Sequence, residues 1–473
     1  MAYRGGMLLR AMCGLAAWAA CVLSAGALTT FIGGSGDEAT LSWSGGATND
    51  GYAVATCTSL VEDVWQYAAD VDQWPVSGTN WTTSTDADRA FYRVRHTARG
   101  RLTDSSVMYS VPLVEIIGLV DYFDSLYPGV SNAISPIYAV EVYRLVYETF
   151  DHRGVSTIAS GALAVPTGPA FAPLLSYQHG TVFKKTESPS NPGVLEMIMG
   201  VVVASEGYIV SMADYIGLGT NSPGLHPYIH ARSEAVACVD MLRATRSFIA
   251  ANPGPVPDGH LFLMGYSQGG HATAALQREL ESRYTNEFPV TASAPMAGPY
   301  DLSGTMADGM VAPVAYSDPA YVPYILFGYN TVYQLFESPS EVLVAPYDTT
   351  LPPYFNGEYS GSEINAVMPS IPRDIFRPEF VSEFESDTNH FFRVLLRSND
   401  MYRWVPQAPT RLYHCAGDTT VSPVNTQVAY SNFVANGATD VSVHDPAPAA
   451  SHSDGAVPCL IDAKLWFDTF WKL

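Results

Sequence analysis

The sequence predicts an α/β protein with a mostly parallel central sheet, carrying an inserted cap and preceded by a small all-β segment. Two observations carry that reading. From about residue 137, short apolar, β-branched runs alternate with helical periods. Parallel strands covered on both faces read in this way, as continuous apolar runs. Within that region the pentapeptide Gly265-Tyr266-Ser267-Gln268-Gly269 stands between an apolar run, Leu261 to Met264, and a helix-prone run, His271 to Leu280.

Arg4 and Arg10 form a basic start, Ala11 to Leu23 is an apolar stretch too short for a comfortable membrane span, and Ala25-Gly26-Ala27 offers a small-x-small cleavage site. Residues 1–27 are therefore expected to be an export signal. Cys21 raises lipidation as an alternative, but Trp18 stands where a Leu-like residue is expected; an uncleaved anchor is the other alternative. Residues 28–97 alternate apolar and polar side chains in Leu41-Ser42-Trp43, Tyr52-Ala53-Val54 and Phe91-Tyr92-Arg93-Val94, between Gly, Asn and Asp clusters. This is the strand pattern of a small β-sandwich-like module. It resembles the fibronectin-III-like modules of exported bacterial proteins, which implies binding to a surface or polymer, or a passive spacer. Residues 98–136 are expected to connect, with a helix near Val111 to Leu126.

In residues 137–473, strands are expected at Glu141–Thr149, Ala159–Val165, Leu174–Gln178, Tyr208–Ala213, Leu261–Met264, Val290–Ala297, Arg411–Ala416 and Val441–His444. Helices are expected at Val194–Ser205, Arg232–Ala250, Gly269–Arg283, Val424–Val434 and Ala456–Trp471. The stretch 302–400 breaks the alternation and is rich in Tyr, Phe and Pro, as in Tyr321-Val322-Pro323-Tyr324-Ile325-Leu326-Phe327. It is expected to form the inserted cap, and its aromatic, loosely patterned sequence predicts an apolar pocket beneath.

Apolar residues make up 47% of the 473 and charged ones 15%, which argues against disorder. A net charge of −22 makes nucleic acid an unsuitable partner. Of six cysteines, Cys13 and Cys21 fall in the signal. Cys238 lies in an apolar helix and reads as a buried thiol. Cys415 and Cys459 flank the loops that carry Asp418 and His452, so a bridge between them is conceivable in an exported protein. No metal-ligand spacing occurs, and neither a metal nor an organic cofactor is expected.

A strand–turn–helix around G-x-S-x-G is the setting of a nucleophile elbow, where Ser267 needs small neighbours two residues away on each side. A serine hydroxyl needs a base to take its proton, usually a histidine held by a carboxylate. The order Ser, acid, His restricts the search to residues after Ser267. Asp418 follows the run Arg411 to Ala416 with D-x-x-V spacing, at the strand end where such sheets hold their sites. It can also be read as a helix cap, and Asp374 and Asp387 are alternatives inside the cap interval. His452, in Ala450-Ser451-His452-Ser453-Asp454-Gly455, has the topology and freedom of the base; His444 ends the last strand and His414 lies within another. Two backbone N–H donors are required for a developing oxyanion. Gln268 follows the nucleophile, and Thr181 follows His179-Gly180 at the end of an early strand. Asp214, in Ala213-Asp214-Tyr215-Ile216-Gly217-Leu218-Gly219, reads as a scaffold residue first and a pocket wall second.

Tyr177-Gln178-His179-Gly180-Thr181, Asp214-Tyr215-x-Gly217-x-Gly219, His226-Pro227-Tyr228, Gly265-Tyr266-Ser267-Gln268-Gly269-Gly270-His271 and the D-x-x-V loop together resemble secreted lipases and esterases of the α/β-hydrolase superfamily, fungal secretory lipases and bacterial relatives included. The resemblance runs from about residue 137 to the end. It implies hydrolysis of small-molecule or lipid carboxylic esters, with Ser267, Asp418 and His452 as triad and Thr181 and Gln268 as oxyanion donors. One departure is that Cys415 stands three residues before the acid, where many relatives have glycine. A serine peptidase on the same fold is an alternative, with Glu383 and Glu385 as carboxylates for a free amine. A non-catalytic surface-binding protein is a second.

Overall fold

A computed structural model describes residues 98–220 and 222–472, together with the backbone of the strand segments 7–12, 23–25, 28–35, 38–44, 51–57, 66–67, 80–84 and 89–97. Most of the expected export signal, including Cys13, Cys21 and the Gly26-Ala27 step, lies outside the described residues.

Two compact units are present, one of residues 1–101 and 147–158, the other of 102–146 and 159–473. The first holds two four-stranded sheets whose described pairings are antiparallel. The alternation in Leu41-Ser42-Trp43 and Tyr52-Ala53-Val54 is an alternation of burial: Leu41, Trp43, Tyr52 and Val54 point inward, and the Trp43 and Tyr52 rings meet at 5.2 Å.

The nine-stranded sheet runs in the order Val441–His444, Thr410–Tyr413, Ala292–Met296, Val256–Tyr266, Phe171–Gln178, Ile209–Ala213, Ser156–Pro166, Val140–Phe150, Leu102–Val111. The pairings from Val441–His444 to Ile209–Ala213 are parallel, whereas Ile209–Ala213 pairs antiparallel with Ser156–Pro166. Each strand in the alternation falls within a few residues of its expected place. Leu261 to Met264 are all buried, as two covered faces require. The edge strand Leu102–Val111 escaped the reading because its Thr103-Asp104-Ser105-Ser106 segment carries no apolar signal and is largely exposed.

Two features of this sheet define where a site can form. Phe171–Gln178 pairs in parallel with Ile209–Ala213 on one side and with Val256–Tyr266 on the other. The chain thus leaves it in opposite directions, which opens a crevice at the carboxyl ends. Gln178 is in register with Gly265 there. In addition, Tyr266, Met296, Tyr413 and His444 form one row across four strands. The residues after that row, Ser267, Ala297 and His414, leave the sheet at one level.

Residues 302–400 hold short helices joined by irregular chain, with Tyr321–Tyr333, Pro378–Ser386 and Phe391–Ser398 the longest helical pieces. Their aromatic side chains, among them Tyr324, Phe327, Tyr329, Phe380 and Phe384, share one core with Phe183 and Tyr228 of the preceding chain.

Candidate active site

Ser267 sits at φ 61° and ψ −122°, between the strand Val256–Tyr266 and the helix Gln268–Arg283. A non-glycine residue rarely adopts a positive φ, and it persists only where its surroundings impose it. Here Ser267 N–H donates to Met296 O at 2.9 Å, and Ser267 O accepts from Gly270 N and His271 N. A Cβ on Gly265 or Gly269 would run into the Gln178 carbonyl, and one on Gly270 into the Met296 carbonyl. The glycines are needed because three backbone segments converge on this turn. Gly269→Ala is expected to destabilise the elbow by about 1–3 kcal/mol, the cost of an overpacked site, seen as a lower thermal midpoint with activity falling in parallel. An unchanged midpoint would show that the turn is not this tight.

His452 bridges the expected residues. Its Nε2 lies 2.8 Å from Ser267 Oγ and its Nδ1 lies 2.6 Å from Asp418 Oδ2. His452 does not sit in the loop expected for it. It is the first residue of the helix His452–Trp471, which begins four residues earlier than its apolar pattern suggests. Ser451, at the cap position, accepts from Asp454 N, and Tyr266 O–H donates to His452 O at 2.7 Å. The ring therefore hangs from a rigid element.

Asp418 is buried and receives hydrogen bonds from every side. Oδ1 accepts from Thr420 N and Val421 N, both at 2.9 Å, while Oδ2 faces His452 Nδ1 and, at 3.2 Å, His414 Nε2. Burial pushes the carboxyl up, but the hydrogen bonds from His414, His452 and Val421 and the His452 charge outweigh it and hold the group well below the usual carboxylate range. His414 accepts from Thr426 Oγ1 through Nδ1 (2.7 Å) and reaches Val421 O through Nε2 (2.8 Å), so the proton on Nε2 serves Asp418 as well. The remaining candidates stay away from the hydroxyl: the His444 ring approaches Ser442 Oγ and Tyr413.

Of the two expected oxyanion residues, Gln268 opens the helix after Ser267, and Thr181 follows the strand Phe171–Gln178 with its Oγ1 2.9 Å from Tyr228 Oη. Gly180 N–H is taken by Glu196 Oε1 at 3.1 Å, and Tyr177 O–H donates to Glu196 Oε2 at 2.5 Å. Tyr215 O–H donates to His179 O, and the His179 ring stacks on Tyr215. Among the described residues, neither Thr181 N–H nor Gln268 N–H has a hydrogen-bond partner. Asp214 accepts from Ser160 O–H and Ser190 N–H, the work of a scaffold residue.

Ser267 and Gln268 open onto a cavity of about 250 Å³ whose walls include Leu302, Met306, Met310, Tyr316, Tyr321 and Ile325 from the 302–400 segment. Among the described residues no charged side chain lines it. Tyr316 O–H donates to Thr420 O near Asp418, and Tyr324 O–H donates to Val182 O next to Thr181, so the 302–400 segment is anchored to both loops. Cys415 and Cys459 meet at an Sγ–Sγ distance of 3.9 Å as buried thiols, without a bridge; Cys238 is likewise a buried thiol. Sequence reasoning missed Glu196 and Glu234, and it weighed His414 only as a base, not as a partner of Asp418. A lone carboxylate inside an apolar helical run, as in Val194-Leu195-Glu196-Met197, signals that a partner is needed but does not name it.

The sheet order, the strained serine turn and the helical cover put the protein in the α/β-hydrolase class. The sequence pattern of the family described as secretory lipase matches residues 192–308, a stretch that contains the elbow. Similar solved structures include the rice cell wall degrading esterase LipA from Xanthomonas oryzae in a ligand-bound form, 30% identical over 79% of this chain and 98% of that one, with a TM-score of 0.68. A Legionella pneumophila protein is 28% identical over 78% of this chain and 98% of its own, at a TM-score of 0.72. Candida antarctica lipase A, 18% identical over 75% and 78%, shares the fold at a TM-score of 0.53. Comparison with curated proteins gives no match. The chain belongs to the secretory lipase family and is a carboxylic ester hydrolase. None of its described helices is long and apolar enough to cross a membrane.

Proposed function

We propose that the protein is an exported serine esterase that works through an acyl-enzyme. Ser267 is the nucleophile, His452 the general base and acid, and Asp418 the residue that orients the imidazole; Thr181 N–H and Gln268 N–H hold the oxyanion. The observation that carries the reading is the His452 ring, which spans Ser267 Oγ and Asp418 Oδ2, with Ser267 lining an uncharged cavity. Nδ1–H is held by the carboxylate, so Nε2 keeps a lone pair for the serine proton as Oγ attacks the ester carbonyl. The imidazolium then protonates the leaving alcohol, and water cleaves the acyl-enzyme by the same route. No step calls on a metal or organic cofactor. Apolar walls suit an acyl chain. Export rests on the basic start and apolar stretch at the N-terminus.

The peptidase alternative loses its support. Glu383 and Glu385 lie exposed on the helix Pro378–Ser386, Glu385 paired with Arg373, and neither belongs to the cavity wall. A series of p-nitrophenyl acyl esters of increasing length, set beside aminoacyl p-nitroanilides, tests the reading. Rapid ester turnover with a chain-length optimum is expected; fast anilide turnover with negligible ester turnover would overturn it.

A further inference from the structure

Behind the elbow lies a second polar cluster that the proposed mechanism does not use. Glu234, in the first turn of the helix Ala231–Ala251, is 0% exposed, as is His271 in the helix after the serine. Glu234 Oε1 accepts from Gln268 Nε2 at 2.9 Å, and Oε2 lies 2.7 Å from His271 Nδ1. His271 Nε2 faces Asn399 O at 2.9 Å. A carbonyl only accepts, so that nitrogen carries a proton, and one further proton is shared between Nδ1 and Oε2. The carboxyl is thereby buried as part of a paired unit, the condition under which a buried acid is tolerated.

Gln268 is fixed from a second direction as well. Its Nε2 also lies 2.7 Å from His226 Nε2, whose Nδ1–H donates to Ile216 O at 2.7 Å. Burial pushes His226 down to about 4, which keeps that Nε2 an acceptor. Both amide hydrogens of Gln268 thus meet acceptors fixed by separate elements, while its Oε1 is buried without a partner among the described residues. An orphaned acceptor is costly, so the side chain's orientation is dictated by its donors. Asn399 extends the cluster to the foot of the cap: its Oδ1 accepts from Ala231 N, and its Nδ2 donates to Tyr333 Oη and Leu395 O.

We propose that Glu234 is a positioning residue for the oxyanion donor. With His271 it clamps the Gln268 side chain, so the backbone N–H of Gln268 keeps its aim, and through Asn399 that aim is tied to the seating of the cap. The proposal rests on the reading of Gln268 N–H as an oxyanion donor.

Glu234→Gln keeps an acceptor for Gln268 and offers an N–H to His271 Nδ1, so every hydrogen bond survives without the charge. Glu234→Leu removes the clamp. The expected result is near-wild-type kcat for E234Q. For E234L, kcat should fall about 10-fold to 100-fold, less than the loss of a whole donor, with KM little changed. Affinity for a trifluoromethyl ketone, whose serine adduct carries an oxyanion, should fall by the same factor. Gln268→Met retains the backbone N–H but loses the clamp, and it should reproduce both losses should E234L fail to fold. Wild-type kcat in E234L or Q268M, or a lower kcat with unchanged ketone affinity, would overturn the proposal. If the wild-type enzyme shows no affinity for the ketone, it is the reading of Ser267 and Gln268 that fails, and the positioning role with it.

Discussion

Ser267→Ala is expected to lower ester turnover by a factor on the order of 10⁴ or more, with the thermal midpoint almost unchanged. The Oγ contributes one hydrogen bond, to His452 Nε2, and the turn that carries it is held by backbone contacts to Met296 and the glycines. Removing the hydroxyl therefore removes chemistry and leaves the fold. Binding and the oxyanion donors remain, so a residual rate above that in water should persist. A fluorophosphonate probe, which labels only an activated serine, should react with the wild type and not with the variant. A variant that retains most of its esterase activity would place the nucleophile elsewhere.

The legible part of this chain is the part where local chemistry and topology agree. The elbow is announced by glycines whose spacing serves backbone carbonyls at Gln178 and Met296, so the pattern is a direct image of close approach. Asp418 was accessible through strand-end logic, since Tyr266, Met296 and Tyr413 share a row and the residues just beyond them emerge at one edge. The element that carries His452, the proposed base, was not legible. Helical periodicity starts with the apolar face at Ala456, whereas the helix itself starts at His452, in a turn whose small and polar residues carry no stripe. Glu196, Glu234 and the pairing of His414 with Asp418 stayed hidden for another reason. Glu196 and Glu234 meet partners on other elements, at Gly180 and Gln268, which no local pattern names, while His414 meets Asp418 only because the chain turns back within four residues after the strand.

Asp418→Asn should cost about 10⁴ in kcat, close to the serine variant, by a different route. Four donors converge on the carboxylate: Thr420 N–H, Val421 N–H, His452 Nδ1–H and His414 Nε2–H. An amide offers only one oxygen. If the oxygen stays with Thr420 and Val421, the new N–H₂ faces His452, and the imidazole must present a lone pair at Nδ1. Its proton moves to Nε2, against Ser267, where no acceptor for the serine proton is left. If the oxygen turns to His452 instead, two backbone donors lose their acceptor and the loop is displaced. The same residue predicts a pH dependence of stability. Its folded-state pKa is depressed, so its contribution is complete above the ordinary carboxylate value of about 3.9 and fades as pH falls from there toward the folded-state value. The gap in thermal midpoint between wild type and D418N should therefore be widest near neutrality and close progressively below about pH 4. A gap that stays constant down to strongly acidic pH would mean that the carboxylate is not held ionised by its four donors, and the orienting role assigned to it would fail with that.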